Sequence, residues 1–146
     1  MTLSTTEPRG LRNNNPGNLR KSDDSWSGLA PVQDDPAFLQ FSEPYFGIRA
    51  LARTLLNYQR RHGLETIRAL IARWAPPVGE KGAEENDTAA YVAAVARRTG
   101  FAPDQVLDLD DAATLAALVR AIILQENGED PYDAALVERA VASALA

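Results

Sequence analysis

The chain has no cysteine, a single histidine and a single methionine. Without cysteine it forms no disulfide, builds no thiolate metal site and performs no thiol catalysis. One histidine does not make a zinc site. His62 follows Arg60 and Arg61 in "YQRRHG", where a cation complements the negative end of a helix. Cations are in the minority, with 15 Lys and Arg against 20 Asp and Glu, for a net charge of −5. That balance argues against nucleic acid, whose phosphates call for clustered positive charge, and against anionic membrane surfaces. No apolar run approaches the roughly 20 residues that span a bilayer, so no integral membrane segment is expected. The start, "MTLSTTEPRG", lacks the apolar stretch of a signal peptide. What remains is ordinary globular material: 146 residues, 45% apolar, enough for one core. Residues 1–8 read as a flexible arm and residues 9–146 as one domain.

Turn and strand signals fill residues 9–41. "NNNPGN" and "DDP" punctuate the chain, and "WSGLAPVQ" and "AFLQF" between and after them read as short strands. From Pro44 the pattern becomes helical. "PYFGIRALARTLLNYQRRHG" opens on proline and closes on glycine, with Ile48, Leu51, Leu55 and Tyr58 on one face. "LETIRALIARWAPP" carries Ile67, Leu70, Ile71 and Trp74 as its stripe and stops at Pro76 and Pro77. "VGEKGAEEN" reads as a charged, flexible loop. "NDTAAYVAAVARRTG" is a third helix, capped by Asp87 or Thr88 and ended by Gly100. "DDAATLAALVRAIILQENG" is a fourth, begun by Asp110 or Asp111 and ended by Asn127 and Gly128. "PYDAALVERAVASALA" is a fifth, with Ala135, Val137 and Val141 as core markers. The expected class is α+β, mostly α, with a small N-terminal β-region.

The fourth helix poses a chemical question. Leu115, Leu118, Val119 and Ile122 recur at helical spacing, and four residues beyond Ile122 stands Glu126. A carboxyl at the end of an apolar stripe, close to a helix C-terminus and to the like charges of Glu129 and Asp130, meets three influences that favour its protonated form. A general acid needs that form, and glycosidic cleavage often uses such a glutamate. A glutamate at the last turn also has the plain option of turning into water.

"AIILQENGEDPY" resembles the segment of lytic transglycosylases and related lysozyme-like enzymes in which a helix ends at the catalytic glutamate and Ser-Gly follows; here Asn127 replaces the serine. "NNNPGNLR", "WSG" and "FLQFSEPYFGIRALARTLLNYQ" are similar to the middle of flagellar-type and autolysin-type N-acetylglucosaminidases, where that middle follows the glutamate helix. Here it precedes it. The order implied is that of a circularly permuted lysozyme-like domain, which is tolerable where termini lie close together. From Arg9 to about Tyr132 the chain also resembles a family of small phage and prophage proteins labelled either virion structural proteins or peptidoglycan-degrading enzymes, with "PPVGEKGAEENDT" longer than that family's usual link.

The resemblance implies a lysozyme-like catalytic domain over residues 9–146 that cleaves peptidoglycan glycan strands as a lytic transglycosylase or a muramidase or glucosaminidase. Glu126 is then the general acid and base. Asn14 and Asn18 are substrate-binding candidates, since amides form the paired hydrogen bonds that sugar hydroxyls and N-acetyl groups take; turn formation is their plain alternative. Tyr91 corresponds to the tyrosine facing the glutamate across the cleft, or is a core aromatic. Trp26 is a candidate for stacking on a sugar face, as is Trp74 where it does not serve the core, and Asn86 and Thr88 are candidates for helix capping and substrate contact. Asp23, Asp24, Asp34, Asp35 and Glu43 are the possible second carboxylates, and all sit in stretches that read as exposed turns. A transglycosylase needs only one carboxyl group, so a single-glutamate mechanism is expected. It requires no cofactor or metal. Partners are glycan strands and other phage or secretion-system components. The expected route is synthesis in the cytoplasm and delivery to the periplasm or cell wall by a phage particle, pore or secretion system. The alternative is a non-catalytic virion, baseplate or wall-binding protein.

Overall fold

Six helices carry the architecture in a computed structural model that describes residues 7–77 and 86–146. They are α1 (Arg9–Arg12), α2 (Pro44–His62), α3 (Ile67–Trp74), α4 (Thr88–Thr99), α5 (Ala112–Asn127) and α6 (Ala134–Leu145). Local chemistry fixes their ends. Thr66, Asp87, Asp111 and Asp133 each accept a hydrogen bond from a backbone N–H of the first turn, relieving donors that the helix leaves unpaired. Pro44 supplies the first residue of α2, and Gly63 ends that helix in the left-handed conformation at φ 66°. The short α1 was not expected from the sequence: four residues following Pro8 carry no periodicity to read.

α5 lies at the centre, touching α1, α2, α4 and α6. Its stripe is buried as the spacing predicts, with Leu115, Val119, Ile122 and Ile123 wholly inaccessible. Ile48, Leu51 and Leu55 of α2, Leu70 and Ile71 of α3, and Val92 and Val95 of α4 complete one core with Val137 and Val141 of α6. One expected marker fails: Ala135 is exposed, and Ala140 and Ala144 face inward instead. No helix among the described residues is long and apolar enough to cross a membrane.

The fold is mostly helical, and the expected β-region is not a sheet. Among the described residues between α1 and α2 there are only two isolated antiparallel bridges, Arg20 with Phe38 and Leu29 with Phe41. A few backbone bonds still cross the loop, such as Lys21 N–H to the Ala37 carbonyl and Leu39 N–H to the Leu19 carbonyl, but side-chain amides take over others that a ladder would make. Asn15 Nδ2 donates to the carbonyls of Leu19 and Leu39, and its Oδ1 accepts from the Leu19 N–H. Gln33 donates to the Ala30 and Gln40 carbonyls and accepts from the Gln40 N–H. Gln40 in turn accepts from the Asp35 N–H. Leu39 and Phe41 still bury their side chains, in a second small cluster with Ala50, against which Leu19, Trp26, Leu29 and Phe46 pack.

The "VGEKGAEEN" loop (residues 78–85 of it) and residues 1–6 of the N-terminal arm lie outside the described residues.

Candidate functional site

Glu126 stands in the last turn of α5, just before Gly128 closes the helix at φ 75°. Its carboxyl is half-buried and held at both oxygens. Oε1 accepts from Asn18 Nδ2 at 2.9 Å, across 108 residues of sequence. Oε2 accepts from the Tyr91 hydroxyl at 2.8 Å.

Asn18 reaches the carboxyl because of the turn that precedes it. Its N–H donates to the Asn15 carbonyl at 2.9 Å, and Pro16 and Gly17 form the bend. Asn14 and Asn18 both have φ 52°, a left-handed conformation that asparagine tolerates better than most side chains. The bend is fastened to α5 by Asn127, whose Nδ2 donates to the Pro16 carbonyl at 2.8 Å and to the Ile123 carbonyl at 2.9 Å. Gly10 sits beneath it: a Cβ there would stand 2.5 Å from Asn127 Oδ1 and 2.8 Å from Asn18 Oδ1. A larger residue at position 10 would push the turn off α5.

Tyr91 comes from the inward face of α4 and is only 6% exposed. Burial first, then the charge and the hydrogen bond of Glu126, push its hydroxyl well above the ordinary tyrosine range. Hydrogen bonding to Trp74 and the positive charge of Arg98 act the other way to a smaller extent. Tyr91 is therefore a neutral donor. Arg98 lies two turns further along α4 and donates to Gln125 Oε1 at 2.8 Å, so a cation stands beside the residue that precedes Glu126.

The other sequence candidates are engaged elsewhere. Asn14 donates to the Phe41 carbonyl at 3.1 Å and its own carbonyl presses on Gly47 of α2; its amide joins the loop to the helix rather than to Glu126. Trp26 packs in the second cluster with Leu39, Phe41 and Ala50. Asn86 donates to the Pro76 carbonyl at 2.9 Å and Thr88 to the Ala75 carbonyl at 2.6 Å. Both tie the start of α4 to the end of α3, while the cap of α4 is Asp87. Asp35, expected in an exposed turn, is buried. It accepts from Arg9 Nε and Nη2 at 2.7 and 2.6 Å and from Asn13 Nδ2 at 2.9 Å, and from the N–H groups of Ala37 and Phe38. Arg9 foremost, against the opposing effect of burial, and then Asn13 and the two backbone donors hold its carboxyl far below the usual carboxylate range. Asp35 is the hub of the N-terminal loop. Asp23, Asp24, Asp34 and Glu43 are exposed.

Two contributors were not assigned to the site from sequence, and a third was weighed against the core. Gly10 gave no signal, Asn127 was read as a helix stop and as the replacement for the serine, and Trp74 as a stripe residue before a sugar-stacking one. Trp74 is half-buried and meets both Tyr91 and the backbone at Gly17, where a Cβ would lie 3.2 Å from its ring.

No protein-family model matches the chain. It is similar to "Protein P5" of Pseudoalteromonas phage PM2, with 44% identity over 127 residues that cover 85% of this chain and 74% of that protein.

Proposed function

The chain belongs to the same family as the phage PM2 protein P5, and on that premise we propose that it is a phage-type enzyme cleaving the glycan strands of peptidoglycan. The observation that carries this reading is the Glu126 carboxyl, gripped at one oxygen by Asn18 of the N-terminal loop and at the other by Tyr91 of α4. Both partners are uncharged donors. They orient a carboxyl group without locking it into an ion pair, and so leave it able to give and take a proton. We read the surrounding helices as a circularly permuted lysozyme-like domain, in which the glutamate helix follows the Asn-rich loop instead of preceding it.

The mechanism follows from having one carboxyl group. Glu126 in its acid form protonates the glycosidic oxygen as the bond from the muramic acid C1 to that oxygen breaks. The 6-hydroxyl of the same sugar then attacks C1, and its proton passes to the Glu126 carboxylate. The glutamate is restored, no water is consumed, and the strand ends in a 1,6-anhydro ring. A hydrolytic route would need a second carboxylate to activate water, and the buried candidate, Asp35, is committed to Arg9 and Asn13. Such an enzyme would be delivered to the wall by a phage particle, a pore or a secretion system.

Incubation with purified sacculi, followed by mass spectrometry of the released muropeptides, tests the proposal. Anhydro-ended fragments support the lyase, and reducing ends support a hydrolase with an unassigned second carboxylate. Intact sacculi from several walls would replace both with a non-catalytic virion or wall-binding role.

A further inference from the structure

Among the described residues, two buried side-chain oxygens accept no hydrogen bond: Asn18 Oδ1 and Asn127 Oδ1. They are neighbours, since both lie within 3 Å of the same point above Gly10. Asn127 cannot relieve the arrangement by turning its amide over, because its Nδ2 is bound to two carbonyls, those of Pro16 and Ile123. Asn18 is different. Its Nδ2 has one partner, Glu126 Oε1, and its orientation is dictated by that carboxylate, which would repel an amide oxygen.

We propose that the Asn18 amide reverses when Glu126 takes up a proton. Tyr91 donates to Oε2, so Oε1, the oxygen facing Asn18, is where an added proton finds an acceptor. Once Oε1 carries it, the O–H donates to Asn18 Oδ1 in the reversed amide. The same rotation swings Asn18 Nδ2 toward Asn127 Oδ1, giving both orphaned acceptors a donor. When Glu126 loses the proton the amide returns. Buried polar groups without partners are uncommon and costly, and here the unpartnered pair belongs to one protonation state alone. Asn18 is thus a positioning residue: it presents a donor to the carboxylate and an acceptor to the acid, with Asn127 as the second stop of its rotation.

Other charged groups around α5 do not substitute for this exchange. From α4, Tyr91 remains a donor and Arg98 is held on Gln125. Arg9 and Arg12 of α1 bind Asp35 and the Glu7 carbonyl, and Arg49 and Arg53 of α2 bind Ser143 and the Ala144 carbonyl. Glu138 and Arg139 of α6 are exposed, as is Glu129 beyond the helix end. Arg120 of α5 itself pairs with Asp130.

The coupling does not depend on glycan cleavage, so it is tested without substrate. In isotopically labelled full-length protein, the Glu126 side-chain carboxyl shift and the cross-peak between the Asn18 side-chain amide protons and the Gly10 α protons are followed against pH by NMR. The cross-peak is expected to strengthen on the acid side with the same midpoint as the Glu126 carboxyl. In Glu126→Gln, whose amide donates at every pH, it should be strong throughout. A cross-peak that stays constant while the Glu126 carboxyl titrates would overturn the proposal, as would a weak one in Glu126→Gln. A protein inert on sacculi that shows the reversal would remove the enzymatic reading and leave the coupling.

Discussion

Asn18 and Glu126, 108 residues apart in sequence, meet through a hydrogen bond of 2.9 Å, and this contact joins the N-terminal loop to the end of the central helix. It ties the position of the Glu126 carboxyl to the geometry of a turn far from it in the chain.

Glu126→Gln keeps the size and the ability to accept from Tyr91, but cannot cycle a proton. Sacculus digestion should be lost, and because general acid–base assistance contributes about 10²–10⁴-fold, a turbidity assay resolves the loss. The melting temperature should be unchanged or higher, since the new amide donor meets Asn18 Oδ1, an acceptor now unpartnered. Wild-type digestion by the variant would remove Glu126 from the mechanism.

Gly10→Ala places a methyl group where Asn127 Oδ1 and Asn18 Oδ1 already crowd at 2.5 and 2.8 Å. The turn must shift away from α5, which draws Asn18 off the carboxyl. Overpacking of this kind costs roughly 1–3 kcal/mol, measurable by urea unfolding. Sacculus cleavage should fall by more than the loss of folded protein explains. A variant of normal activity and stability would show that the turn does not need its present position.

Leu118 and Ile122 are 2% and 0% exposed on the helix that carries Glu126. Truncation of either to alanine should destabilise the protein by roughly 2–5 kcal/mol, the usual range for cavity formation. Near-neutral values in denaturant melts would mean α5 is not the centre of the core.

These examples also show what the chain reveals before folding. The stripe of Leu115, Leu118, Val119 and Ile122 was legible because helical periodicity is local, and the stops at Gly63, Gly100 and Gly128 were legible because a left-handed cap favours glycine. The mostly helical class followed from them. The loop before α2 was misread as strands: alternation in "AFLQF" predicts which side chains are buried, as Leu39 and Phe41 are, but cannot tell whether a ladder or the amides of Asn15, Gln33 and Gln40 satisfy the backbone. The pairing of Asn18 with Glu126 has no local signal at all. Periodicity singled out Glu126 and the resemblance to lysozyme-like enzymes brought in Asn18, and only three-dimensional contact separates Asn18, which reaches the carboxyl, from Asn14, which bonds Phe41.

Asp35 sets the response to acid. Its carboxyl is held far below its ordinary range in the folded state, chiefly by Arg9. A depressed carboxyl stabilises fully above the unfolded value, about 3.9, and that contribution fades as pH falls from there toward the folded value. Thermal melts between pH 6 and pH 2 should therefore show a loss in wild type that is smaller in Asp35→Asn, which starts from a lower melting temperature at pH 6. Parallel pH dependence in the two proteins would place the acid sensitivity elsewhere.

Tyr91 sets a response at the opposite end of the pH scale and tests the second grip on Glu126. Its hydroxyl is raised above the normal tyrosine range, first by burial and then by Glu126. A group that holds its proton more tightly when folded stabilises fully below the unfolded value, about 10, and that stability declines as pH rises beyond it. Tyr91→Phe should remove this part of the alkaline destabilisation, while the raised hydroxyl of Tyr132, pushed up to about 12, remains as a common background. Comparison of melts from pH 8 to pH 11 isolates the difference. At neutral pH the same substitution deletes the donor to Glu126 Oε2. A hydrogen bond to a charged group contributes roughly 1.5–3 kcal/mol, so turnover should drop by roughly ten- to a hundredfold if that bond orients the reacting carboxyl. A variant with altered alkaline stability but full turnover would make Tyr91 a core residue that happens to touch the glutamate, and would leave the orientation of Glu126 to Asn18 alone.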